Sequence, residues 1–212
     1  LRLLLGDLAE GWLWSNPVTD KGTTHHHVPG SARARGRVLE SGCALAQVLE
    51  GDVRDRILKR LDALLAKQLE EFRRCLSTNE SPIIYRSTGA SVWEHGLWVK
   101  GLLAASLTLT TKKAEIHAMG AYIGRWVLGG FKRYGTRWYV PYRIQANGSY
   151  SSSPSKQLSL WCLPAIELLN RFERSNLNQQ QQSKIDQIFS EFWADPPLNG
   201  GYGDQMKWRL FR

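Results

Sequence analysis

Four residues have side chains suited to acid–base chemistry. Glu94 and His95 are neighbours in the chain, and Tyr139 and Tyr142 follow further along. A carboxylic acid can protonate a leaving oxygen, and a histidine or tyrosine can take a proton from a sugar ring. These residue types fit the processing of polysaccharides, by hydrolysis or by elimination. If the chain is an enzyme, we expect its catalytic residues among these four.

The same segment also has a packing interpretation. A glycosidase divides acid and base work between two carboxylates roughly 5 to 10 Å apart, and the sequence offers Glu94 only the distant Asp20 or Asp195. An acid in the first turn of a helix is favoured by the helix dipole. In this interpretation Glu94 stabilises a helix start, and His95 is a core histidine beneath Trp98. The sequence leaves both interpretations open.

Aromatic and basic residues that could bind a partner lie in the same part of the chain. We expect a binding surface that contains Trp93, Arg133, Arg137, Trp138, Tyr139, Tyr142 and Arg143. Tryptophan, tyrosine and arginine together are typical of protein interfaces, and the same side chains stack on bases or sugars. The pattern predicts a binding surface without deciding between these partners.

The sequence lacks the motifs of several classes of enzyme and binding protein. The sequence has no phosphate-cradling glycine loop before a helix, no GxSxG and no HExxH, which excludes the common nucleotide, serine-hydrolase and zincin sites. The three cysteines have no CxxC spacing, which argues against a zinc knuckle or a disulfide framework. We expect no metal and no cofactor. Whether the loop residues His25, His26 and His27 bind anything stays open.

The charge balance is basic, with 28 Lys and Arg against 19 Asp and Glu. A basic patch binds nucleic acid by releasing counterions from phosphates, but basic and acidic residues alternate in several segments. We therefore expect most of this charge on solvated helix faces. Nucleic-acid binding would require the basic residues to gather on one face.

The apolar runs are short. The longest falls far below the roughly 20 residues that cross a bilayer, so we expect a soluble protein with no membrane contact. The chain opens at Leu1 without a methionine. We expect it to be a fragment of a longer chain.

Apolar spacing predicts three helical hairpins, near residues 34–75, 91–131 and 156–193. The first helices of the first two pairs are rich in small residues, including Gly42 and Gly101, which predicts that backbones approach closely there. Pro164 should bend the third pair's first helix or mark its start.

Other segments carry weaker patterns. Residues 1–14 read as a helix with Leu3, Leu4 and Leu8 on one side, Trp12 as a further candidate for that side, and no visible mate. Residues 83–85 read as a short extended piece. Between Gly129 and Pro154 glycines, prolines and serines predict a helix-free stretch. Aromatic and β-branched residues from 138 to 144 favour a short β-hairpin or an aromatic loop within it.

The repeat lies in RGRVLESGCALAQVLEGD, VWEHGLWVKGLLAASLTLTTKK and SLWCLPAIELL. With these segments the chain resembles the αα-toroid, a ring of alternating inner and outer helices. The resemblance implies an all-α fold of αα-hairpin repeats in one domain over residues 1–212. Three hairpins make half of the usual ring, so the open edge would meet the missing part of the chain or another chain of an assembly.

The resemblance implies two kinds of function. Helical domains of bacteriophage virion proteins use such rings, as do polysaccharide lyases and glycoside hydrolases. We expect a non-catalytic structural or interaction domain of a larger assembly, with a phage virion as the specific case. The alternatives are a polysaccharide-processing enzyme and a nucleic-acid-binding module.

Overall fold

The computed structural model describes residues 2–15, 30–85, 89–150 and 154–194. These residues are mostly helical, which confirms the all-α prediction. The helices are α1 Arg2–Ser15, α2 Ala32–Val48, α3 Gly51–Ser77, α4 Val92–Thr108, α5 Lys113–Gly130, α6 Lys156–Leu160, α7 Leu163–Leu168 and α8 Gln179–Ala194. The strands are β1 Lys132–Tyr134, β2 Arg137–Pro141 and β3 Pro154–Ser155. None of the described helices combines the length and hydropathy of a membrane span.

The contacts group the chain into two compact units. The first contains residues 1–84 and 100–120, and the second contains residues 85–99 and 121–212. Helices α4 and α5 each contribute residues to both units. A single domain over the whole chain and the closure of its hairpins into a toroid stay predictions.

The first unit contains the first predicted hairpin, formed by α2 and α3. Helix α2 begins after Ser31, whose Oγ accepts a hydrogen bond from the backbone N–H of Ala34 at 3.2 Å. The turn to α3 is made by Gly51, whose φ of +67° lies in the left-handed region. The apolar face of α3 is fully buried at Ile57, Leu61 and Leu65, as its spacing predicts.

Helix α1 also belongs to the first unit, and the expectation that it has no mate was wrong. It packs against α3 and α2. Trp12 Nε1 donates to Ser41 Oγ at 3.1 Å, and Ala9 and Leu13 are buried. Leu8, which we expected on the apolar side, is 54% exposed, because the Ala9–Leu13 row faces the core. Leu3 and Leu4 lie outside the described side chains.

Helix α4 makes two close backbone approaches, one in each unit. In the first unit, a Cβ built on Gly101 would lie 2.3 Å from the carbonyl oxygen of Gly36 in α2. In the second unit, a Cβ on Gly96 would lie 2.3 Å from the carbonyl oxygen of Trp161. No side chain fits at either position without moving backbone. The predicted close approach is therefore confirmed at Gly101, and Gly42 is buried against the side chains of Trp12 and Leu61.

The third predicted hairpin lies in the second unit. Its first arm is divided into α6, α7 and a π-helical segment, Leu169–Glu173, and its second arm is α8. Pro164 stands in the first turn of α7, where a proline needs no backbone donor. It therefore marks a helix start, which is the second of the two outcomes that the sequence allows.

The three strands form a small antiparallel sheet in the order β1-β2-β3. Arg133 pairs with Trp138, and Lys132 pairs with Tyr139, so the predicted β-hairpin is confirmed. Helix α5 reaches Gly130, and the prediction of a helix-free stretch from Gly129 was wrong at its start, because Gly130 packs closely against Val92. No strand forms at residues 83–85; the neighbouring backbone pairing is the bridge Ala90–Ile144.

The cap of α2 gives a first prediction. Ser31→Ala removes the acceptor for the Ala34 N–H, and we expect it to lower the free energy of unfolding by about 1 kcal/mol. Ser31→Asp keeps a capping oxygen and should retain most of the stability. Urea denaturation followed by circular dichroism measures both. An equal loss in the two variants would contradict the role of the cap.

Candidate anion-binding cleft

The four candidate acid–base residues occupy different environments. His95 is 1% exposed, and its Nδ1 lies 2.8 Å from the carbonyl oxygen of Ser91. Its ring centroid lies 4.7 Å from that of Trp126. Glu94 is half-buried in the first turn of α4, and Tyr139 is half-buried in β2. The histidine environment matches the packing interpretation, while a catalytic role for the four residues stays a prediction.

Three of the predicted binding residues form one cluster. The ring of Tyr142 lies 5.9 Å from that of Trp93, and the guanidinium of Arg143 lies 5.3 Å from the Tyr142 ring. Arg143 Nε also lies 3.4 Å from Ser91 Oγ. Tyr142 is 39% exposed, so this cluster reaches the surface.

Two other predicted binding residues, Arg133 and Trp138, line a cleft of about 610 Å³, which we call the basic cleft. The end of α5, the β1–β2 hairpin and the first half of α8 form its walls. Its lining residues are Arg125, Leu128, Gly129, Phe131, Lys132, Arg133, Trp138, Gln180, Gln181, Ser183, Lys184 and Gln187. The fully buried Phe131 meets Phe192 of α8 edge-on, with ring centroids 6.5 Å apart. This contact fixes α8 against the start of β1.

Trp138 is fixed by hydrogen bonds from both its backbone and its side chain. Its backbone N–H lies 3.0 and 3.1 Å from the two carboxylate oxygens of Glu191, and its Nε1 donates to Gln187 Oε1 at 3.2 Å. The ring contacts two cations: Arg133 Cζ lies 5.6 Å and Lys184 Nζ 4.9 Å from its centroid. The indole therefore positions both positive charges in the cleft.

The cleft is electrostatically one-sided. Its lining contains four basic residues, Arg125, Lys132, Arg133 and Lys184, and no carboxylate among the described residues. The Lys132 ammonium lies 5.7 Å from the centroid of the Tyr150 ring. Arg125 pairs with Glu173 outside the lining. Burial, and after it the positive charge of Lys132, lower the pKa of Lys184 from 10.5 to about 8. A bound anion would offset both effects.

The partners of Lys184 and Arg133 inside the cleft are neutral. Lys184 Nζ donates to the carbonyl oxygen of Phe131 at 2.6 Å, and Arg133 Nη1 donates to Gln187 Oε1 at 3.2 Å. These acceptors orient the two cations without cancelling their charge. The arrangement is suited to holding an anion. Among the described residues no group of His, Cys, Asp and Glu has the spacing of a metal site.

The sequence located part of this cleft. It singled out Arg133 and Trp138, and strand alternation directs Arg137 and Tyr139 to the other side of β2. It missed Arg125, Lys132 and the α8 wall. A signal for that wall exists in the sequence, because Gln180, Lys184 and Gln187 recur at i, i+4 and i+7 on one helix face.

The remaining sequence candidates Asp20, Asp195, His25, His26 and His27 lie outside the described residues. No protein-family model, no curated protein and no solved structure matches the chain.

Proposed function

We propose that the chain is a non-catalytic interaction domain of a larger assembly and that its basic cleft binds an anionic partner. The observation that carries the proposal is the set of four basic residues that line the cleft, two of them against the Trp138 indole, with no carboxylate among the described lining residues. The volume of about 610 Å³ lies in the range of ligand-binding clefts. The bacteriophage virion is the specific assembly that the αα-toroid resemblance implies.

The polysaccharide-processing alternative has less support. His95 is buried between indoles rather than exposed in a cavity, and none of Glu94, His95, Tyr139 and Tyr142 lines the basic cleft. The feature that favours a sugar ligand is the Trp93–Tyr142 ring pair, because stacked aromatic side chains suit sugar rings. An interaction domain would use the basic cleft to bind its partner, and unlike a polysaccharide-processing enzyme it needs no pair of acid and base residues.

The proposal predicts that removing two positive charges from the basic cleft weakens polyanion binding more than removing two positive charges elsewhere on the chain. We compare Lys132→Gln/Lys184→Gln with the control Lys59→Gln/Lys113→Gln, which removes two exposed lysines that do not line the cleft. On immobilised heparin, used as a generic polyanion, the cleft variant should elute at lower salt than the control, because fewer counterions are released on binding. Elution of both variants at the same salt would overturn the proposal.

A further inference from the structure

In the described part of the chain, Arg133 and Lys184 of the basic cleft have neutral partners, unlike several other basic residues. Many arginines pair with carboxylates, including Arg56 with Glu10, Arg74 with Glu80 and Arg174 with Asp186. In the cleft Lys184 and Arg133 instead contact a carbonyl, an amide oxygen and the indole of Trp138. Neutral partners leave a site whose charge is available to a ligand.

The neutral side chains of the basic cleft indicate which kind of anion it can bind. Gln180, Gln181 and Ser183 add amide and hydroxyl groups that donate and accept hydrogen bonds, and the Gln181 Oε1 already accepts from the Asn178 N–H at 3.1 Å. Gln187 uses its oxygen for Trp138 and Arg133 and its nitrogen for Ser183 Oγ, so it holds the site together. A ligand that fits this lining combines negative charge with both donors and acceptors. The phosphates of a nucleotide accept hydrogen bonds from cations, and its base edges donate and accept at amides, so a nucleotide carries both kinds of group together.

We infer that the anionic partner is a single-stranded nucleic acid, with its phosphates at Arg133 and Lys184 and its bases or sugars at the α8 amides. This inference rests on the proposed function of the cleft. A flexible strand can enter a concave cleft, whereas a duplex presents a convex surface. Arg133 is exposed, so its guanidinium can also stack on an unpaired base.

The test is fluorescence anisotropy with a labelled oligothymidylate of about 10 nucleotides, a length within the site sizes of single-strand binding folds. The proteins are the full chain, Arg133→Gln/Lys184→Gln and the control Lys59→Gln/Lys113→Gln. We expect the full chain and the control to bind alike. The cleft variant should bind about tenfold to hundredfold more weakly, and its salt slope should fall by about 1.4 because two phosphate contacts are lost. Thermal unfolding of all three proteins establishes that the variants are folded.

A polyglutamate peptide of matched charge separates this inference from the proposed function. If the peptide binds through the cleft as tightly as the oligonucleotide, or more tightly, the nucleic-acid inference is overturned and the proposed function stands. If neither probe binds in a way that depends on Arg133 and Lys184, both are overturned. Weaker binding of the peptide, with cleft-dependent binding of the oligonucleotide, supports both.

Discussion

Gly101→Ala should lower the free energy of unfolding by about 3 kcal/mol, the upper part of the range for overpacked interiors. The added Cβ would lie 2.3 Å from the carbonyl oxygen and 2.7 Å from the Cα of Gly36. Both atoms belong to backbone, so no change of rotamer relieves the contact. Relief requires α2 and α4 to separate, which would expose the buried side chains Leu39, Leu102 and Ala105 on the two helices.

Gly11→Ala is the matched control. Gly11 also lies inside a helix, but a Cβ there meets nothing within 4 Å, so the substitution should raise stability by about 0.5 to 1 kcal/mol through helix propensity. Urea titrations followed by circular dichroism compare the two variants, and equal shifts of both midpoints would contradict the close packing of α4 on α2. Gly96→Ala repeats the test in the second unit, where the obstructing atom is the Trp161 carbonyl oxygen.

The sequence predicts where the helices lie in the chain better than it predicts which helices pack against each other. Apolar spacing located α2, α3, α4 and α5, because an amphipathic stripe reports burial directly. It identified the face of α1 only in part: Trp12 lies on the packed side as expected and contacts α2, but Leu8 is exposed and the buried row contains Ala9 and Leu13. The indole of Trp12 occupies the space beside Gly42, and that space exists only once α1, α2 and α3 are packed.

Local propensity also failed where tertiary packing overrode it. Gly129 and Gly130 each cost about 1 kcal/mol in a helix relative to alanine, which favours an end before them. The helix continues because Gly130 is buried against Val92 and Ile144. The strand β3 was missed because its two residues, Pro154 and Ser155, acquire extended structure only through pairing with β2.

The sequence predicted only one wall of the basic cleft, because the other wall is brought there by tertiary packing. Arg133 and Trp138 are close in sequence, and the antiparallel register places them opposite each other. Gln187, which joins them, is 49 residues beyond Trp138. Helical spacing identifies one face of α8, but it does not say which surface that face meets. The contact of Phe131 with Phe192 decides this, and no local pattern connects those two positions.

A second large effect, after the stability loss expected of Gly101→Ala, concerns the basic cleft. We expect its affinity for anions to fall as the pH rises through about 8. Lys184 has a pKa lowered from 10.5 to about 8, first by burial and then by Lys132. In the free protein this lowered pKa disfavours the folded state below about pH 8, and the penalty disappears as the pH rises toward 10.5. A bound anion stabilises the ammonium and raises its pKa. Binding above pH 8 therefore takes up a proton, and affinity falls by up to about tenfold per pH unit.

Two variants assign this pH dependence to Lys184. Lys184→Gln should bind oligothymidylate more weakly at about pH 7 and show a flat profile to about pH 9.5, because the titrating group is gone. Lys132→Gln should retain the fall but move its midpoint to higher pH, because one source of the lowered pKa is removed. The α-amino group also titrates near pH 8, so an unchanged slope in Lys184→Gln would assign the proton to that group and contradict the electrostatic role of Lys184. Anisotropy titrations at constant ionic strength measure all three profiles, because salt alone changes the affinity of a cationic cleft.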